Sequence, residues 1–239
     1  MSEINRDELE LESTGKTPKF NHLQRYIGVI VKPREVLEDI SDHPRVLIPM
    51  FVMAILLSAI MLINMDAIIE VQRQAMMEQS IAMGNQVPLD GFESLSKNIA
   101  KMTVAIAGVG AVAVMAIVAL ITHGIATFIS GEGTFKKVFS ASLYIAIVTM
   151  LGSALAALLS LVLPININSF SPAILMDPTQ VKNPLFIILS SIEVFNLWRL
   201  ALMAIALSII ESFTIKKSVI LIIVLAVLGI LVQMISLAR

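Results

Sequence analysis

The chain has 239 residues, 57% of them hydrophobic and only 15% charged, with 17 basic and 18 acidic side chains, a net charge of −1 and a mean hydropathy of +0.88. A soluble domain carries about 25% charged residues, so the composition argues against a water-soluble fold, and the near-neutral charge gives no bias toward nucleic acid. There is no cysteine, which removes disulfides, zinc–thiolate sites and thiol catalysis together.

The charges fall in islands at 1–45, 66–101, 132–137 and 211–217. Between them run apolar stretches of about 20 residues or more, enough helix to cross a hydrocarbon core ~30 Å thick. The expected fold class is therefore all-α: a polytopic membrane protein, a five-helix transmembrane bundle preceded by a short helical arm.

Residues 1–19 read as an acidic, disordered cytosolic tail. Glu3, Asp7, Glu8, Glu10 and Glu12 stand where a cleavable signal would need a basic start. Residues 20–44 form the arm. Phe20, Leu23, Ile27, Ile30 and Val31 recur at helical spacing, with Lys19, Arg25, Lys32 and Arg34 around them. That pattern suits a helix lying among lipid headgroups; a helix packed on the protein's own cytosolic face fits it equally well. Pro33 opens a second short helix, which stops before Asp42-His43-Pro44.

The membrane domain occupies 45–239, with spans expected at 45–65, 102–129, 138–163, 185–210 and 218–238. A polar outer segment, 66–101, whose early part has a helical pattern, separates the first two spans, and a proline-marked loop separates the third and fourth. With the amino terminus inside, eleven lysines and arginines fall on the cytoplasmic side and five outside, and both short inner connectors carry a Lys-Lys pair. The positive-inside rule then places the amino terminus in the cytoplasm and the carboxyl terminus outside. The expected location is integral to a membrane, with the lipid bilayer as the first partner.

Candidate chemistry is sparse. The sequence holds no phosphate-binding glycine loop, no His-Glu-x-x-His and no Gly-x-Ser-x-Gly, so no catalytic, cofactor-binding or metal-ligating residues are assigned and the chain is read as a non-enzyme. His123 and Glu193 lie at different depths, about 31 Å and 14 Å from the outer surface, too far apart to share a site. The most polar part of any span is Ser190, Glu193, Asn196 and Arg199, at three-residue spacing along one side of the fourth helix. Charge in a span is costly, so such residues face protein or water. They are either a hydrogen-bonded network holding the bundle together or a site for a solute, an ion or a partner helix. Gly152, Ala156 and Ser160 in the third span, and Ala107 and Ala111 in the second, have the small-xxx-small spacing of close helix packing.

The order of motifs resembles the Yip (Ypt-interacting protein) domain family, in its bacterial form. The motifs are Pro33-Arg34-Glu35-Val36-Leu37 followed by Asp42-His43-Pro44, then the connector Gly131-Glu132-Gly133-Thr134-Phe135-Lys136 with Phe139 and Tyr144 beyond it. Asn196-Leu197-Trp198 and Ile215-Lys216-Lys217 complete the series. The resemblance covers about residues 25–237 and implies a five-span bundle with a cytosolic amino terminus, acting through protein partners rather than substrates. Eukaryotic relatives bind small GTPases in vesicle traffic, and some bacterial members accompany ABC-type export systems. Glu193 and Arg199 match no family motif. The expected function is a membrane adaptor or accessory subunit with a membrane-protein partner, an ABC-type transporter being the suggested class. The alternative is a small-solute or ion carrier using the fourth-span stripe.

Overall fold

The structure, a computed structural model, describes residues 17–82, 89–162, 170–176 and 183–237, and every regular element among them is helical. Most of the tail expected at 1–19 lies outside the described residues.

The arm is two helices, α1 (His22–Val31) and α2 (Pro33–Asp42). Asn21 and Gln24 start α1 with a reciprocal capping box, and Pro33 occupies the first turn of α2, where a missing N–H costs nothing. Gly28 lets the two helices meet, because a Cβ there would strike the Val36 side chain.

α3 (Leu47–Ile63) is followed after Asn64 by α4 (Met65–Ala82), bent 73° from it. The Asn64 side chain donates to the Ile60 carbonyl at 3.0 Å, satisfying one of the groups that the end of α3 leaves open. The region expected as a polar outer segment is thus largely helical. Its first part is α4, and its second part is the beginning of α5 (Leu89–Phe128), a 40-residue helix that starts well before the expected residue 102. Lys97 and Lys101 lower hydropathy without interrupting a helix, so the apolar run under-measured it. At ~1.5 Å per residue α5 is about 60 Å long, twice the hydrocarbon core.

α6 (Phe135–Ile145) and α7 (Ile147–Val162) continue one another across Ala146. After a short 3-10 turn at Pro172–Leu175 come α8 (Pro184–Ser191), α9 (Val194–Ile210) and α10 (Ile215–Leu237). The expected continuous fourth helix is broken: α8 and α9 meet at 60° across Ile192 and Glu193.

Three stretches, 94–128, 135–160 and 215–236, are long and apolar enough to cross a membrane, and up to five spans result if each bent pair counts as one. The packed core lies toward one end, where the arm, α6 and the last turns of α9 meet. Val29, Val36, Leu37, Ile40, Leu143, Tyr144, Ile145 and Leu207 are fully buried there. By contrast α5 and α10 expose apolar side chains such as Val109, Ile117, Ile223 and Val232. Such surfaces are stable only in a medium as apolar as themselves, which identifies an integral membrane protein.

Close helix contact in the second span falls one residue from the expected Ala107 and Ala111. Val104, Gly108 and Val112 are buried, and a Cβ on Gly108 would strike the backbone of Ala54 on α3. In the third span, Gly152 and Ala156 are buried, a Cβ on Gly152 would come within 2.5 Å of the Phe195 ring, and Ser160 donates to the Ala156 carbonyl within its own helix.

Candidate functional site

Among the described residues, three groupings of polar side chains join separate segments of the chain. The first joins the arm to the bundle. Arg25 and Asp39 are nearly devoid of solvent contact, and their side chains pair at 2.8 Å. Arg25 also donates to the carbonyl of His43 at 2.9 Å, and the Asp39 carboxylate accepts the Lys19 backbone N–H at 2.8 Å. Burying two charges costs several kcal/mol per ion unless they are paired and otherwise hydrogen-bonded, and here both conditions hold. The guanidinium sits 5.6 Å from the centroid of the Tyr144 ring on α6, against which Tyr26 also packs at 4.9 Å. Burial, with Arg45 and Arg25 nearby, pushes the His22 imidazole below its ordinary value. The His22 Nδ1 and the Tyr144 hydroxyl share a hydrogen bond of 2.5 Å. Burial likewise pushes the Tyr26 phenol up. At the end of the arm, Ser140 on α6 donates to the Arg45 carbonyl and accepts its N–H, at 2.8 and 3.1 Å.

Of the expected interfacial residues, Arg25 is therefore internal. Phe20 is partly buried against the core, whereas Leu23 (68% exposed) and Ile27 (56%) turn away from the bundle with Val31 (68%). Lys32 and Arg34 are exposed and pair with Glu35 and Glu38. The helix thus has one face on the protein and an apolar strip on the other. A polar groove of about 700 Å3 lies beside α2, lined by Lys19 just before the arm, by Glu38, Asp42 and His43 within it, and by Ile209 from α9.

The second place ties the two short connectors together. Glu211, which ends α9, is 0% exposed. One carboxylate oxygen is 3.1 Å from His123 Nδ1 on α5, and the other accepts the Gly133 N–H at 2.8 Å. Glycine is required around it: a Cβ on Gly133 would lie 2.8 Å from the Glu211 carboxyl carbon, and one on Gly131 would lie 2.8 Å from the Ala126 carbonyl oxygen. Sequence reasoning missed Glu211. The available signal was a glutamate directly after an apolar span, at the same end as the Gly-x-Gly connector and near the expected level of His123.

The third place is the break between α8 and α9. The Glu193 carboxylate caps the first turn of α9 by accepting the Asn196 N–H, and the Asn196 side chain donates to the Ser191 carbonyl at 3.2 Å. Arg199 donates twice to the Asn196 side-chain oxygen, at 3.1 and 2.8 Å, and Ser190 donates to the Ile187 carbonyl. The expected stripe along one continuous helix face is corrected accordingly. Glu193 and Asn196 satisfy the backbone groups that a break exposes, and Arg199 leans back onto Asn196.

With this architecture in place, the match to known families is informative: the Yip1 domain covers residues 27–237, nearly the whole chain. The chain belongs to the Yip1 domain family. The Yip1 match begins within α1 and ends with α10, so it includes most of the arm, the Glu211 junction and the α8–α9 break. No curated protein and no solved structure matches the chain.

Proposed function

We propose that this Yip1-domain protein is a non-enzymatic membrane adaptor or accessory subunit that works through a protein partner in a bacterial cytoplasmic membrane. The proposal includes five spans, with the two bent pairs each crossing once, the amino terminus inside and the carboxyl terminus outside. An ABC-type export complex is the class of partner that the family resemblance suggests.

The observation that supports this reading is the fixed docking of the arm. The Arg25–Asp39 pair and the His22–Tyr144 hydrogen bond hold α1 and α2 against α6. The polar groove beside α2 is then formed before any partner arrives, and a preorganised surface loses less conformational entropy on binding. The carrier alternative rests on the fourth-span polar groups, whose hydrogen bonds instead stay within that span and stitch its break.

The test is purification of the full chain in mild detergent, followed by mass spectrometry of what co-elutes. The expected result is a stoichiometric membrane complex, captured by the wild type and lost in the charge reversal Glu38→Lys. The reading fails if nothing co-elutes and reconstituted vesicles show a solute flux that Glu193→Gln abolishes.

A further inference from the structure

A groove of about 400 Å3 opens between the end of α5 and the first turns of α10. Its walls are apolar, with Ile125 on α5, Ile129 just past the end of that helix, and Ile220 and Val224 on α10. Its volume lies within the range of small-molecule sites, roughly 300–1,000 Å3. Unlike the arm groove, it runs beside a helix whose exposed side chains are almost all aliphatic, Ile223 and Val227 among them. Lipid chains are therefore what reaches it.

One end of the groove is different in kind. Thr214, Lys216 and Lys217 line it there. The Lys217 ammonium donates to the Ile129 carbonyl at 2.6 Å and sits 3.8 Å from the centroid of the Phe213 ring, so its charge is held in place. Lys216 is exposed. The two connectors that meet here, taken with the first turns of the helices they lead into (130–137 and 211–217), carry four lysines against two glutamates. One of those glutamates, Glu211, is buried and directed to His123 and Gly133. Positive charge is thus in excess at the polar end of an apolar channel.

We propose that this groove is a binding site for an anionic phospholipid. One acyl chain lies between α5 and α10, and the headgroup phosphate is held by Lys216 and Lys217. A neutral lipid would fill the channel and leave the lysines without a counter-charge, whereas an anionic lipid satisfies both halves of the site. Basic niches between spans are a recognised setting for such headgroups.

The test uses the full chain in mild detergent, offered phosphatidylglycerol or phosphatidylcholine at equal concentration, with native mass spectrometry reading the lipid retained. The wild type should retain phosphatidylglycerol on the order of tenfold better, the scale expected for two lysines near a charged headgroup. Lys216→Gln should cut that retention about fivefold and leave phosphatidylcholine unchanged. Lys217→Arg should preserve the preference, and Val224→Trp, which fills the channel, should lower retention of both lipids. Equal retention of the two lipids by the wild type would reduce the site to an apolar crevice and overturn the proposal. So would an unaltered Lys216→Gln protein, or a dimer whose formation expels phosphatidylglycerol. Because Lys216 is exposed, its variant decides the matter even if Val224→Trp fails to fold.

Discussion

Arg25 and Asp39 are buried opposite charges joining the two arm helices, the first of which sequence patterning fits equally to the membrane surface and to the protein's own cytosolic face. Removing one partner leaves the other charge buried, a change that costs about 3–5 kcal/mol. Asp39→Ala should therefore lower the unfolding midpoint in detergent sharply. The double change Arg25→Met with Asp39→Leu should recover much of the loss, since an apolar pair of similar volume carries no desolvation penalty. If the double variant is no more stable than the single one, the pair is not the fastening described above. His22 adds a pH dependence. Its folded-state value is lowered from 6.5 by burial, then by Arg45 and Arg25. Below about pH 6.5 the unfolded chain takes up a proton that the native ring refuses. This contribution to stability is therefore present above that pH and is lost as the pH falls. The difference in thermal midpoint between wild type and His22→Gln should shrink on moving from pH 7.5 to 5.5, and an unchanged difference would refute the assignment. At this scale the sequence was least informative. Arg25 looked like one more surface cation among Lys19, Lys32 and Arg34, and Glu211 like a connector charge, because both are defined by partners distant along the chain.

Helix breaks are stabilised by polar side chains that hydropathy counts only as interruptions. At the α8–α9 junction the Glu193 carboxylate caps the incoming turn, a contact worth roughly 0.5–2 kcal/mol when a capping side chain is replaced by alanine. Glu193→Ala should lower thermal stability in detergent by more than Glu193→Gln, whose amide oxygen still accepts the Asn196 N–H. Equal midpoints for both variants and the wild type would instead indicate a solvated site. Glycines on α5 give a second comparison. A Cβ on Gly108 would strike the backbone of Ala54, which cannot rotate away, while a Cβ on Gly110 meets nothing within 4 Å. Gly108→Ala should destabilise the α3–α5 packing by about 1–3 kcal/mol, and Gly110→Ala should not; thermal unfolding of the two side by side checks this. The apolar runs behind these helices were legible because lipid imposes a length that composition reveals. Their breaks and contact faces were not, since Asn64 and Glu193 act by side-chain hydrogen bonds to exposed backbone groups and Gly108 by close backbone approach, neither of which a hydropathy profile registers.

Across the whole molecule, burial concentrates at the end where the arm, the two connectors and the four connector lysines lie, and apolar exposure spreads over α5 and α10. Reporter fusions after Lys137 and Lys217 should report the cytoplasm, and fusions within 66–101 and 164–183 the opposite side, as the lysine and arginine asymmetry requires. A reversal at any one of these four points would overturn the proposed topology. The Glu211 junction has a further consequence, for biogenesis. Gly133 and His123 leave the ribosome long before Glu211, which follows them by 78 and 88 residues. While the chain is being made, the connector after α5 has no carboxylate to close on. It is secured only when α9 has arrived and delivered Glu211 at its end. This junction therefore stays unlatched until residue 211 has been made, and a chain that stalls before it carries an open seam between the connector after α5 and the end of α9.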